Sequence, residues 1–231
     1  MSRPRQANWT APSSAKALET DLGDAMRAAI LIAGIIMAGD ARAKDRFPEL
    51  TPDQMTVEQK ALAQAITSGP RGGLRGPFNA WLRSPAMGDR MQQLGEQVRY
   101  RSSLPRKLNE FAILITARAW DAKYEWYAHY PLALQAGLAP AVAAELAQGR
   151  RPRGMSPDEA AVYDFCIELR RDKRVGDATY AAVQGLFGDQ GVIDLIAVNG
   201  YYDMVSMTLN VAQVATPPDG ALPLPDLAAR K

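Results

Sequence analysis

The segment from Phe111 to Ala117 constrains the fold most, because it is apolar at nearly every position. Pro105 suits the first turn of a helix, and that helix also carries Glu110. A helix without a polar face is buried among other elements. From Thr56 onward the pattern is helical, with no convincing strand. The sequence therefore predicts an all-α helical bundle with this helix inside it.

Capping residues predict where the other helices begin and end. Thr56 and Ser156 are each followed three residues later by Gln or Glu, which is the pattern of a capping box. Asp121 and Asp177 are expected N-caps, and Gly137 is expected to end the helix that Asp121 opens. The predicted helices span about 56–68, 86–99, 105–118, 121–137, 140–148, 156–172, a short one from 177, and 191–214.

Composition and charge argue against several classes of function. The formal charge of +2 is small and the arginines are scattered, so binding to nucleic acid is not expected. Cys166 is the only cysteine, which excludes a disulfide framework and a cysteine-based zinc site; we expect it to fill the core. The Gly- and Pro-rich loop 69–77 lacks the Gly-Lys-Ser/Thr of a phosphate-binding loop.

Residues 1–43 are predicted to lie outside the folded domain, which spans 44–231. Arg27, the apolar run Ala28–Ala38 and the small residues Ala41 and Ala43 follow the order of a secretory signal peptide. The polar residues 1–25 upstream are expected to be disordered. Two interpretations remain open. Either translation starts at Met26 and the protein is periplasmic or secreted, free of the membrane after cleavage, or the run is a buried helix of a cytoplasmic protein. The order of the signal regions favours export.

Glu110, Glu125 and His129, the only histidine, carry most of the functional information. Glu125 and His129 are four residues apart on a predicted helix, so their side chains share one face. Glu110 can reach the same space if the two helices pair. A histidine beside two carboxylates suits general acid–base chemistry. The alternative is a surface Glu–His pair and an unrelated glutamate.

Three motifs between residues 76 and 138 define a family resemblance: GPFNAWLRSP (76–85), LNEFAILITAR (108–118) and YEWYAHYPLALQAGL (124–138). They resemble the carboxymuconolactone decarboxylase family, which shares its fold with alkylhydroperoxidase D. The resemblance implies an alkylhydroperoxidase D-like, carboxymuconolactone decarboxylase-like helical bundle that assembles as a homo-oligomer, a trimer or hexamer.

Two positions in these motifs distinguish the branches of the family. The peroxidase branch has a Glu, then Cys-x-x-Cys, then a His four residues after the second Cys. Glu110 and His129 match the family Glu and His, whereas Ala122 and Glu125 occupy the cysteine positions. A peroxidatic cysteine acts through its thiolate, so we expect no disulfide-peroxidase activity at this site.

The Glu/Glu/His set resembles the decarboxylase side of the family. It implies a cofactor-free lyase or isomerase for a small carboxylated or lactone-type substrate, with His129, Glu110 and Glu125 as catalytic residues. If the protein is exported, its substrate need not be that of a cytoplasmic catabolic enzyme.

Substrate-binding candidates surround this set in the sequence. Aromatic side chains suit an apolar pocket, and an arginine can hold a carboxylate, although a solvated surface arginine is the alternative in each case. The main candidates are Trp126, Tyr130, Tyr124 and Arg118. The weaker ones are Arg83, Arg99, Asn199, Tyr201 and Tyr202.

The sequence is also compatible with two other functions. Glu110, Glu125 and His129 could be ligands of a metal ion, although the chain has no second histidine to complete the set. The chain could also be a non-catalytic oligomeric binding protein that kept the fold, because fold does not fix function.

Overall fold

The computed structural model describes residues 45–218 and 224–227, which form eight α-helices and no β-strand. They are α1 Val57–Ser68, α2 Pro77–Trp81, α3 Pro85–Tyr100, α4 Arg106–Ala119, α5 Lys123–Gln135, α6 Pro140–Ala147, α7 Pro157–Asp172 and α8 Asp177–Ala212. This architecture confirms the predicted all-α bundle. The predictions for residues 1–43, a disordered extension and a signal peptide, concern residues outside the described ranges.

Helix α4 is the centre of the bundle, as its apolar sequence predicts. Every residue from Leu108 to Arg118 is buried. Helices α5, α7 and α8 pack around α4, so its side chains find apolar partners on all sides. Burial of a large side chain such as Phe111, which is fully buried, contributes about 1.5–3 kcal/mol. The position of α4 fixes where Glu110 lies.

Both predicted capping boxes are present. The Thr56 hydroxyl accepts from the backbone N–H of Gln59, whose side chain accepts from Thr56 N–H in return. Ser156 and Glu159 form the second box at the start of α7. Each cap satisfies donors that a helix N-terminus leaves unpaired.

The prediction that Asp121 caps the helix carrying Glu125 is wrong. Asp121 has φ 49° and forms an ion pair with Arg118, while Ala122 occupies the N-cap position of α5. Aspartate tolerates this left-handed conformation better than most residues. The resulting turn is short, so α4 and α5 are neighbours that run antiparallel. Helix α5 ends as predicted, with Gly137 at φ 99° just beyond its last turn.

The sequence predicts two helices in this region, a short one capped by Asp177 and a long apolar one from about residue 191. A break at Gly188, with φ 66°, divides α8 into two such parts. The N-cap is Gly176 and not Asp177, which is the first helical residue. Among the described helices, α8 is the one long and apolar enough to cross a membrane. One face of it is buried against the bundle, with Leu195 and Val198 fully inaccessible.

The opposite face of α8 leaves apolar side chains exposed. Ile193 is 64% exposed and Val211 58%, and Ile196 and Met207 are each more than 40% exposed. Their spacing places all four on one side of the helix. The apolar segment Phe111–Ala117 is hidden within the single chain and is not available for oligomer contacts. The α8 face is therefore the structural reason to expect self-association.

We predict that the protein forms a homo-oligomer through this α8 face. Replacing both Ile193 and Ile196 by Glu should produce an oligomer of lower mass or a monomer, because a charged residue in an apolar contact is desolvated without a partner. Light scattering at micromolar concentration measures the change. Val57→Glu, at a site on α1 that is 79% exposed, is the control and should not change the mass. A monomeric wild type would contradict the prediction.

Candidate active site

The structure brings Glu110, Glu125 and His129 together between α4 and α5. His129 Nδ1 lies 2.6 Å from Glu110 Oε2, and its Nε2 lies 3.1 Å from Glu125 Oε1. The four-residue spacing puts Glu125 and His129 on one face of α5, and the antiparallel pairing brings Glu110 to the other edge of the ring. The imidazole therefore lies between two carboxylates.

All three side chains are removed from solvent, with 4–5% of each side chain exposed. The Nδ1–H of His129 donates a well-aligned hydrogen bond to Glu110. Glu125 Oε1 forms an ion pair with His129 Nε2 at 3.1 Å but makes no hydrogen bond of standard geometry with a described residue. A buried carboxylate oxygen without a full partner can readily accept a proton or a donor from a ligand.

The two carboxylates control the protonation of His129. Burial alone would lower the pKa of His129, but the charges of Glu125 and Glu110 outweigh burial and raise that pKa from 6.5 to about 9. His129 is therefore an imidazolium at neutral pH, with both ring nitrogens protonated. This state suits a proton donor and a stabiliser of negative charge.

The arrangement does not favour a metal centre. Glu110 and Glu125 contact opposite edges of the His129 ring, so the three side chains do not converge on one point. Within residues 45–218 and 224–227, no group of three or more His, Cys, Asp or Glu is placed to hold a metal ion.

A cavity of about 650 Å³ opens in front of this trio. Glu125 and His129 line it, whereas Glu110 lies behind the imidazole and does not. Tyr202 packs edge-on against His129, with ring centroids 5.2 Å apart. Burial raises the pKa of Tyr202 well above its usual value and that of Tyr201 to about 12, so both phenols are protonated and can donate. Further lining residues are Arg71, Arg75, Phe78, Arg99, Tyr124, Tyr127 and Tyr201.

The sequence-derived aromatic candidates divide between the cavity and the core. Tyr124 lines the cavity, half-buried against Gly76, whose φ of 68° and lack of Cβ allow the close approach of the ring. Trp126 is fully buried and Tyr130 nearly so. The two rings stack on each other with centroids 6.0 Å apart, away from the cavity lining. The structure therefore brings only one of the three rings to the site.

The arginine candidates divide in the same way. Arg118 donates to the backbone carbonyls of Ala147 and Pro225 and does not line the cavity. Arg83 donates to backbone carbonyls, including that of Asn79, at another place in the bundle. Of the predicted arginines, Arg99 alone lines the cavity.

The weaker candidates on α8 and the lone cysteine also have clear positions. Tyr201 and Tyr202 line the cavity, whereas Asn199 is buried elsewhere and donates to Cys166 Sγ. Cys166 is fully buried, as predicted, and burial raises the pKa of its thiol to about 11. A thiol with this pKa and no access to the cavity is unsuited to attack a peroxide.

Among the charged residues that line the cavity, sequence reasoning missed two, Arg71 and Arg75. Both lie in the breaker-rich loop between α1 and α2, to which the sequence assigned no role. The sequence feature that could have indicated them is a pair of arginines in the loop directly before the first family motif.

The fold is an alkylhydroperoxidase D-like helical bundle, in which Glu110, Glu125 and His129 are in contact. Residues 85–166 match the model of the carboxymuconolactone decarboxylase family, which confirms the resemblance predicted from the sequence. The matched region contains Glu110, Glu125, His129 and Arg99, and it excludes Arg71, Arg75, Tyr201 and Tyr202. No curated protein matches the chain.

Two solved structures share the fold. One is described as an alkylhydroperoxidase AhpD core, a peroxidase-related protein from Ralstonia eutropha JMP134, with TM-score 0.60 and 16% identity over 72% of this chain and 88% of that chain. The other, a peroxidase-related protein from Silicibacter sp. TM1040, has TM-score 0.64 and 14% identity over 79% of this chain and 97% of that chain. At these identities the likeness shows the fold alone.

We predict that the free energy of unfolding falls as pH rises from 6.5 through about 9. In this window the folded protein holds a proton on His129 that the unfolded chain has released, so rising pH favours unfolding. The loss should be on the order of 2–3 kcal/mol. Urea unfolding at pH 6.5, 8 and 9.5 measures it.

Two variants isolate the contribution of His129 to this pH dependence. His129→Gln should lose the slope between pH 6.5 and 8, a range in which the Cys166 thiol stays largely protonated in both the folded and the unfolded state. Tyr202→Phe, which removes the neighbouring buried phenol, should keep that slope. A wild type whose stability is constant or rises over this window would contradict the assignment of an imidazolium.

Proposed function

We propose that this protein is a cofactor-free lyase or isomerase that moves a proton to or from carbon in a small carboxylated or lactone-type substrate. The observation that carries the proposal is the position of the His129 ring, held between Glu110 and Glu125 at the wall of a cavity large enough for such a molecule. The match to the carboxymuconolactone decarboxylase family supports the same chemistry.

The geometry suggests a different role for each member of the trio. Glu110 lies outside the cavity lining and bonds Nδ1, so it orients the ring and stabilises its charge. Glu125 lines the cavity and its Oε1 lies 3.1 Å from His129 Nε2, so it is the group placed to exchange a proton between the ring and a ligand. His129 Nε2–H is the proton donor next to it.

Decarboxylation at this site would break the bond between carbon and carboxylate in a substrate with a carbonyl group β to that carboxylate. Carbon dioxide leaves, and the electron pair stays on the substrate as an enolate beside the positive charge of His129. A proton from His129 Nε2, passed directly or through Glu125, forms the new C–H bond. A proton from solvent then reprotonates Nε2. In an isomerisation, Glu125 removes a proton from one carbon of the substrate, and Glu125 and His129 return a proton to another carbon.

A non-catalytic binding protein of the same fold is the second candidate. One observation favours it: each ring nitrogen of His129 already faces a carboxylate, as a purely structural ion network would require. The two candidates differ in a measurable way, because only the enzyme exchanges a substrate proton with solvent.

The proposal predicts that His129→Gln and Glu110→Gln each lower turnover by about 10² or more, the usual effect of a positioned acid–base group. The double variant should lose little beyond either single one, because both residues act on the same proton. Release of carbon dioxide and uptake of solvent deuterium, followed over a panel of carboxylated lactones and β-keto acids, provide the assay. Full activity in Glu110→Gln, or no turnover of any panel member by the wild type, would favour the binding protein.

We also predict that alkyl hydroperoxide is not reduced, although the structural neighbours are described as peroxidase-related. Ala122 and Glu125 replace both thiols of the peroxidase motif, and Cys166 is buried with a raised pKa. A coupled assay with a dithiol reductant tests this. Peroxide turnover that persists in Cys166→Ser would refute the prediction.

A further inference from the structure

Arg71 is held at the cavity wall by contacts from three separate parts of the fold. Its guanidinium carbon lies 4.7 Å from the centroid of the Phe78 ring on α2, a cation–π contact. Its Nη2 donates to the backbone carbonyl of Gln92 on α3 at 3.3 Å. The hydroxyl of Tyr201 on α8 lies against the same guanidinium. A side chain with these restraints is preorganised, which lowers the entropy cost of binding a ligand.

Gly95 on α3 provides the space for this arrangement. A Cβ atom at Gly95 would overlap the Tyr201 hydroxyl and lie 2.6 Å from Arg71 Nη2. Any other residue here would displace the phenol and the guanidinium together. The glycine is buried inside a helix, where glycine destabilises by about 1 kcal/mol relative to alanine. The absence of a side chain at this position therefore determines whether Arg71 can occupy its place.

The charges around the cavity favour an anion at this end. Arg71, Arg75 and Arg99 line it, and within residues 45–218 and 224–227 no carboxylate forms a salt bridge with any of them. Among the described side chains that line the cavity, Glu125 is the only acidic one. A planar guanidinium with free N–H groups matches a carboxylate in geometry as well as in charge.

Two consecutive residues of α8 connect this end of the cavity to the acid–base trio. The rings of Tyr201 and Tyr202 are in edge-to-face contact with centroids 5.1 Å apart, and Tyr202 is in the same kind of contact with His129 at 5.2 Å. A ligand bound to Arg71 would therefore extend along two phenol rings toward Glu125 and His129.

We infer that Arg71 and the Tyr201 hydroxyl form the carboxylate-binding subsite of this cavity, and that Gly95 determines whether the subsite exists. This assignment rests on the proposed function and deepens it, because it assigns a substrate carboxylate that the reaction retains to Arg71 and Tyr201, two residues outside the matched family region. The role predicted from sequence for Arg118 thus passes to Arg71. Binding at this subsite does not depend on turnover, so it can be tested separately.

Isothermal titration calorimetry with phenylacetate and adipate, each compared with its neutral amide, measures binding at the subsite. The wild type should bind the carboxylates more tightly than the amides. Arg71→Gln should weaken carboxylate binding by about tenfold or more, the effect of a lost charge-assisted hydrogen bond, and leave amide binding unchanged. Tyr201→Phe should weaken it several-fold. Gly95→Ala should resemble Arg71→Gln although it keeps the arginine.

Matched variants show whether weaker carboxylate binding comes from loss of this subsite or from loss of any positive charge, of catalysis or of the fold. Arg83→Gln removes an arginine that lies outside the cavity lining and should bind carboxylates as the wild type does. Glu110→Gln should also keep carboxylate binding even if it abolishes turnover, so failure of the catalytic proposal leaves this result intact. Thermal melting identifies variants that fail to fold. If Gly95→Ala is one of them, Arg71→Gln and Tyr201→Phe still test whether the subsite binds a carboxylate. Equal affinity for acid and amide in the wild type, or unchanged carboxylate binding in Arg71→Gln, would overturn the inference.

Discussion

The contact between the His129 imidazolium and the two carboxylates on either side of it is the interaction on which the rest of the structure depends. Three buried charges in a helical core are costly to desolvate, and they are tolerated because they neutralise each other in part. Loss of His129 would leave the two carboxylates without a compensating charge. Helices α4 and α5 must therefore meet in one register, which the short turn at Asp121 and the apolar sides of α4 fix.

Sequence patterns predicted the parts of the structure that depend on local spacing. The capping boxes at Thr56 and Ser156, the buried α4 and the shared face of Glu125 and His129 follow from periods of three and four residues. The cap that failed, at Asp121, lies where a left-handed residue determines the turn, and the N-cap of α8 is Gly176, one residue before the predicted Asp177. An aspartate that caps a helix and an aspartate in a left-handed turn cannot be told apart from the sequence.

The residues that recognise a ligand were harder to predict, because tertiary packing brings them together. Trp126 and Tyr130 each follow a trio residue by one position, and one step along a helix turns a side chain about 100° away, here into the core. Arg118 lies eight residues beyond Glu110, about 12 Å along α4, and contacts the C-terminal segment instead. Arg71, Gly95 and Tyr201 come from a loop and two helices that no spacing rule connects.

The protonation state of His129 is the central claim, and the chain offers a direct test because it has a single histidine. Nitrogen-15 NMR of protein labelled at histidine would show one imidazole without any need for assignment by mutation. We predict two protonated nitrogens at pH 7 and a titration midpoint near 9, with Glu110→Gln moving the midpoint down. A neutral ring at pH 7, with a midpoint at or below 6.5, would contradict the interpretation of the site.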